Sequence, residues 1–443
     1  MVKTSQHSFR AAMVFFLLLL PLPAAALGQY DYIDIDSPFS RKVPIAIPAF
    51  SALSPEGTDA ALLQKATDTL SRSLDFTGFF NIIDRGAYLL DANKTVMTVD
   101  QINFRNWTTI GAELLVTGGL SQTGSLIDVE LRLFDTLAGK RLLGKRYHGT
   151  VEDLRSIILR FCNEVILQLT GKRGIFDTRI AFVTNGSGNK EIMICDFDGG
   201  NPVPFTRHGS ISLSPAWSSD GKWIAYTTYV NNKPDIFIQR TEGGEKAFIQ
   251  EKGINITPAW LPGQFTLSAT MSFTGNQEIY LLTGAGKIIK KITDNWASDL
   301  SPSWSPDATK MAFVSNRTGA PQIYIQDIKT GQVERLTFEG NYNTQPSWSP
   351  VGDRIVYTSM AGSRNDLFVI DLKRRQPLQL TRDAGNNESP SWSPDASLIA
   401  FSSTREGPAR IYVMTAFGAD QRRLLSLPGE QFSPNWSPNL GKY

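Results

Sequence analysis

Ser301-Pro302-Ser303-Trp304-Ser305-Pro306-Asp307 leads within three residues into Lys310-Met311-Ala312-Phe313-Val314. The stretch reads as a strand carrying Pro and Trp, a tight turn, and a second strand with alternating apolar residues. It recurs. Related segments surround Trp217, Trp260, Trp348, Trp392 and Trp436, and successive tryptophans stand 43, 44, 44, 44 and 44 residues apart. A period near 44 built from short β-rich pieces is the length of one four-stranded propeller blade. Helix-pair solenoids share that period, but they need apolar residues at 3.6 spacing, and the repeats alternate instead, as in Gln322-Ile323-Tyr324-Ile325.

One copy is split. The segment at Trp436-Ser437-Pro438 stops at Tyr443 without its following strand, whereas Arg179-Ile180-Ala181-Phe182-Val183-Thr184 has such a strand with no Trp segment before it. Joining the two pieces closes a ring of six blades and removes the free sheet edge. In this scaffold the Trp fills space between neighbouring blades. The residue before each proline is expected to be extended, since proline disfavours the helical region there.

The first half reads as a separate, mixed α/β unit. Strands are expected over 43–50, 79–83 and 113–118, with a hairpin of 127–134 and 142–147 around Ala138-Gly139. Helices are expected over 59–74 and 151–169, where apolar residues recur at helical spacing, and a short one near 103–107. The expected fold is therefore an α/β N-terminal domain over 43–170 plus an all-β six-bladed β-propeller over 176–443.

The chain opens with Lys3 and Arg10, an unbroken apolar run over 11–20, and Ala24-Ala25-Ala26-Leu27-Gly28. This is the pattern of a cleaved secretory signal over 1–28, and cleavage after Ala26 or after Gly28 fits equally. Of 44 basic residues two lie in that leader, which leaves 42 basic against 42 acidic. A net charge of zero disfavours nucleic acid as a partner. No later stretch is long and apolar enough to span a bilayer. An exported chain is open to disulfide formation, yet Cys162 on a predicted helix and Cys195 on a strand of the next domain read as two buried thiols.

Catalytic patterns fail. Beyond the leader only His148 and His208 remain, both expected as solvated surface residues, and no G-x-S-x-G elbow occurs. Residues 139–146 imitate a phosphate loop, but Arg146 stands where Ser or Thr would hold magnesium, and the segment joins strand to strand. Asp196-Phe197-Asp198-Gly199 reads as a hairpin turn with too few ligands for calcium. The chain ends inside the last blade, so no hydrolase domain is expected behind the propeller. No cofactor and no metal are expected.

Binding surfaces remain. The residues that open each Trp strand vary from copy to copy, as in Asn255-Ile256, Asp299-Leu300, Asn343-Thr344 and Asn387-Glu388. They lie near one mouth of the channel, and their variation fits either a shaped docking site or unconstrained loop drift. A second candidate is the short acidic segment over 29–42, with Tyr30, Asp31, Tyr32, Ile33 and Asp34. It fits a strand that adds to a partner's sheet edge, a free tail, or a strand folded back on its own domain.

The leader, the α/β domain, the joint LTGKRGIFDTRIAFV over 169–183 and the six blades ending at Trp-Ser-Pro together resemble the TolB family, across essentially the whole mature chain. The family is the periplasmic component of the Tol–Pal system of Gram-negative bacteria. The resemblance implies a periplasmic, non-enzymatic adaptor, a monomer within a complex, that helps couple envelope constriction to cell division. It implies that the propeller mouth docks the lipoprotein Pal, that the N-terminal segment (Tyr30 to Asp34) contacts TolA, and that some colicins are ligands. Carried over by alignment on each Pro-x-Trp, the Pal-facing residues are Ile254, Asn255, Thr257, Asp299, Leu300, Asn343, Thr344, Gln345, Asn387 and Glu388. Ile254 stands in a loop where better-known members have a His. A competing reading is a secreted propeller enzyme acting on polysaccharide or peptide, which would need a metal or a His/Arg/Lys cluster in the channel.

Overall fold

The structure, a computed structural model, describes residues 41–54, 58–89 and 98–441. The leader and the acidic segment carrying Tyr30 to Asp34 lie outside these residues.

The α/β part comprises β1 (Val43–Ala46), β2 (Ser51–Ala52), α1 (Ala60–Phe76), β3 (Phe80–Ile82), α2 (Phe104–Thr109), β4 (Leu114–Thr123), β5 (Leu126–Asp135), β6 (Lys140–Thr150) and α3 (Leu154–Thr170). The sheet order is β3-β1-β4-β5-β6, with β2 beside β4. The strand expected over 43–50 is thus interrupted. Ile47 donates its N–H to the Tyr88 hydroxyl at 2.8 Å, its carbonyl accepts from Arg85 Nε at 3.1 Å, and Pro48 has no N–H to offer a neighbour. Asp59 caps α1 by accepting from the Ala61 amide at 2.9 Å. The expected helix over 151–169 starts with one 3₁₀ turn at Val151–Asp153 and ends at Gly171 with φ 70°, a left-handed stop that suits glycine. Leu62, Ala66, Leu70 and Leu74 of α1 and Ile158, Phe161, Val165 and Leu169 of α3 fill the core beneath the sheet.

Six four-stranded antiparallel sheets follow. Blades one to five open with inner strands Ser212–Trp217, Asn255–Trp260, Asp299–Trp304, Asn343–Trp348 and Asn387–Trp392. The sixth combines Gln431–Trp436 with Arg179–Thr184, and Trp436 lies opposite Ile180. The ring is closed as the split repeat requires.

The residue before each proline is not extended. Ser214, Thr257, Ser301, Gln345, Ser389 and Ser433 have φ between 49° and 55°. Every inner strand slips register at this point, with one residue more than its partner. The positive φ belongs to a β-bulge, and the proline that follows has no N–H to lose from the ladder.

The six motif tryptophans are buried, at 5–8% exposure. Four give their indole N–H to the preceding blade: Trp217 to Asn435 O, Trp260 to Ala216 O, Trp304 to Ser268 Oγ and Trp392 to Ser347 O, at 2.9–3.2 Å. Trp436 donates to Thr178 Oγ1 at 2.8 Å, beside the joint. Trp348 instead bonds within its own turn, to Gly352 O at 3.4 Å, and a cleft of about 650 Å³ opens between blades three and four.

Cys162 and Cys195 are both free and buried, and burial pushes both thiols well above their ordinary pKa. Native protein is therefore expected to ignore an alkylating or disulfide reagent over hours, while denatured protein titrates two thiols. Labelling of either cysteine in the folded state would contradict this burial.

Candidate docking surface

The α/β domain occupies one end of the ring. Arg422 lies 4.3 Å from the centre of the Phe76 ring and donates to the Phe76 carbonyl, Lys42 pairs with Asp420 at 2.6 Å, and Arg155 with Asp198 at 2.9 Å. Asp198 and Asp420 sit in turns between the third and outer strands of blades six and five. These turns lie at the same end as the tryptophans, since Ile180 pairs with both Trp436 and Cys195. The crossover loops between blades lie at the opposite end, and their mouth is left open by the α/β domain.

At that mouth the candidate residues separate into two groups. Asn255, Asp299, Asn343 and Asn387 are fully buried, so their side chains offer no surface to a partner. This corrects the expectation that they contact one. Each ties its loop to a neighbouring strand. Asn255 donates to Asp235 at 3.2 Å and to the Glu251 carbonyl at 2.8 Å. Asn343 donates to Gln322 and to the Glu339 carbonyl, both at 2.8 Å. Asn387 donates to Asp366 at 3.1 Å and accepts from Arg405 at 3.0 Å.

A recurrent hub lies at the start of the third strand, its first residue in blades two and three and its third in blade four. Glu278, Gln322 and Asp366 each accept from a threonine fifteen residues on, Thr293, Thr337 and Thr381, at 2.6–2.7 Å. Sequence reading missed this lattice, although its signal is present: those threonines also repeat at the blade period. Buried polar groups need such partners, because leaving one unpaired costs ~1–3 kcal/mol.

Asp299 is held by Arg317 at 2.9 Å and by Asn295 at 2.6 Å. Desolvation raises its carboxyl pKa, opposed by hydrogen bonds from Ser315, Arg317 and Asn295. The Arg317 guanidinium lies over the Phe313 and Tyr324 rings, at 5.3 and 4.9 Å.

Ile254, Thr257, Leu300, Thr344, Gln345 and Glu388 are half-buried. Thr257 and Gln345 line the channel wall, while Leu300 packs against the core of blades three and four. Gln345 is fixed by Thr358 Oγ1 and the Ser389 amide, both at 2.8 Å. The channel is a cavity of about 410 Å³ whose wall includes Ser214, Thr257, Ser301, Gln345, Ser389 and Ser433. Its lining combines hydroxyl, amide and prolyl groups with the rings of Trp217, Trp260, Trp304 and Trp436. Among the described residues no group of three His, Cys, Asp or Glu is placed to hold a metal.

The histidines differ from expectation in one case. His148 is exposed beside Asp128. His208 is half-buried, stacked on Tyr226 with its Nε2 2.9 Å from the tyrosine hydroxyl, and desolvation lowers its pKa. It belongs to a packed aromatic group rather than to solvent.

The most exposed aromatic residues at this end escaped the repeat reading. Trp296 is 78% exposed and Phe338 73%, with Tyr342 nearby in the second of the two loops. They lie in the crossovers into blades three and four, outside the Trp motif.

The family model described as the TolB beta propeller domain matches residues 167–440, and that of the TolB amino-terminal domain matches 31–142. The chain belongs to the TolB family. A "Tol-Pal system protein TolB" from Desulfosudis oleivorans is 52% identical over 287 residues, covering 65% of this chain and 66% of that one. A "Protein TolB homolog" from Chlorobaculum tepidum is 42% identical over 295 residues, 66% of each chain. The aligned stretch thus spans just under two thirds of these TolB relatives' length. The crystal structure of TolB from Acinetobacter baumannii superposes with a TM-score of 0.77 at 26% identity, covering 90% of this chain and 97% of that one. The TolB fold therefore extends over nearly all of the chain, well beyond the stretch of closest sequence similarity.

Proposed function

We propose that the protein is a non-enzymatic periplasmic adaptor of the Tol–Pal system. In this reading residues 1–28 export the chain, 29–42 engage TolA, 43–170 form the α/β domain, and the propeller over 176–443 docks Pal at its crossover mouth. It supports outer-membrane integrity and constriction during division. The observation that carries the reading is the polarity of the ring: the α/β domain packs on the tryptophan-end turns of blades five and six, and the crossover mouth, at the other end, is open to a partner. Ile254, Thr257, Leu300, Thr344, Gln345 and Glu388 form the contacting set, while Asn255, Asp299, Asn343 and Asn387 hold the loops in shape.

The test is binding of the purified mature protein to the soluble domain of Pal and, separately, to the periplasmic part of TolA. Saturable one-to-one binding to Pal is expected, weakened at least tenfold by the paired change Ile254→Glu and Thr344→Arg at the mouth and untouched by changes at Leu126 on the α/β domain. Deletion of residues 29–36 is expected to abolish TolA binding alone. No binding to either partner, or turnover of glycan or peptide substrates that disappears with a channel substitution, would overturn the adaptor reading.

A further inference from the structure

An exposed tryptophan is costly to leave in water and is the residue type most enriched at binding hot spots. Trp296 is 78% exposed, yet its loop is tightly held. Asn276 Nδ2 donates to the carbonyls on either side of it, Asn295 O at 2.6 Å and Ala297 O at 2.9 Å. The Asn295 amide donates to buried Glu278 at 2.9 Å, and the Ala297 amide to Asn295 Oδ1 at 2.7 Å. Asn295 Nδ2 is held by Asp299 at 2.6 Å, and the Ser298 amide by Asn316 at 2.9 Å. The backbone polar groups next to the indole are engaged inward while the ring is turned out. Such an arrangement lowers the ordering cost of association, because the display exists before the partner arrives.

The neighbouring crossover adds Phe338, stacked under Arg335 at 5.0 Å, and Tyr342. Trp, Tyr and Arg together are the composition of an anchoring centre on a protein interface. Asp294 and Glu339 are exposed on the same two loops. Asp294 is paired with Lys291 at 2.7 Å and Glu339 adds a second carboxylate, so the two loops carry no cationic surplus. This disfavours an anionic membrane surface and favours a folded protein with an apolar hole and a basic or neutral rim.

We infer that Trp296 is the anchor of the docking face, a knob set by the Asn276–Glu278–Asn295–Asp299 frame, and that the partner receives it in an apolar pocket. The inference rests on the docking reading above and names how that face grips. Asn276 and Asp299 are positioning residues: they act through the loop and touch nothing outside.

The experiment uses the full mature protein and the soluble domain of Pal. Trp296→Ala is expected to weaken binding about 30-fold or more while leaving the unfolding transition unchanged, since the ring supports nothing inside the fold. Asn276→Ala is expected to weaken it about tenfold in the wild-type background and by less than twofold when Trp296 is already Ala. That non-additivity is a signature a merely structural role would not produce. Acrylamide quenching of the Trp296 emission, taken as wild type minus Trp296→Phe, is expected to fall on complex formation. Wild-type binding with an undiminished Trp296→Ala variant would sink the anchor and leave the docking reading standing. Absence of wild-type binding would sink both. Binding to vesicles of phosphatidylglycerol that depends on Trp296, with no effect on Pal, would overturn the protein-pocket assignment.

Discussion

A chain stopped at Glu430 is expected to lose the folded propeller, not one strand of it. The missing strand, Gln431–Trp436, covers the inner edge of Arg179–Thr184 and places Trp436 over Ile180. It also serves the next junction: Asn435 accepts the Trp217 amide at 2.9 Å through its side chain and the Trp217 indole at 3.2 Å through its carbonyl. Removing it opens two of six junctions at once and bares a strand edge that invites association with other chains. The expected result is insoluble or aggregated protein, or a broad unfolding trace without a transition. The single substitution Trp436→Ala keeps the strand and loses a large buried ring and a 2.8 Å hydrogen bond to Thr178. It is expected to cost ~3–5 kcal/mol with the fold retained. A monomeric truncated chain with the wild-type melting temperature would show that closure contributes nothing.

Arg317→Met is expected to be the most damaging single change at the crossover mouth. Asp299 is fully buried and Arg317 is the cation that faces it, 2.9 Å away. Removing one partner strands a buried carboxylate, at a cost of ~3–5 kcal/mol. Replacing both, with Asp299→Asn and Arg317→Met, is expected to restore more than half of the loss, because the uncompensated charge is gone. Chemical unfolding followed by tryptophan emission measures both. Equal destabilisation of the single and the double variant would mean that Arg317 matters for its stacking on Phe313 and Tyr324 and not for its charge.

The ring was legible because its period is carried by a residue too large to misplace. Trp recurs every 43–44 residues, each copy must fill the same gap between blades, and the orphan halves at 179 and 436 have only each other to pair with. The residues that open the inner strands were legible as a place in the ring, and four of them were misread as surface side chains. Asn255, Asp299, Asn343 and Asn387 vary in a way that looks like surface, but their partners, such as Gln322 and Asp366, lie about twenty residues upstream on another strand. A loop-by-loop reading cannot see that pairing. The bulge before each proline was hidden for a similar reason: the local preference is for extended backbone, and the ladder overrides it. Trp296 stands eight residues before Trp304 and outside the blade period, so no repeat argument places it.

The bond that Trp348 makes within its own turn, and the cleft beside it, make the toroid mechanically unequal around its circumference. Five of its six motif indole N–H groups reach across to a neighbouring blade or to the joint, whereas between the third and fourth sectors the Trp348 amide, donating to Ser303 Oγ at 2.9 Å, and the Arg375–Glu334 pair at 2.8 Å make the tie instead. Both crossovers that display Trp296 and Phe338 meet the third sector, so the proposed anchor and the one seam without an indole tie share a wall.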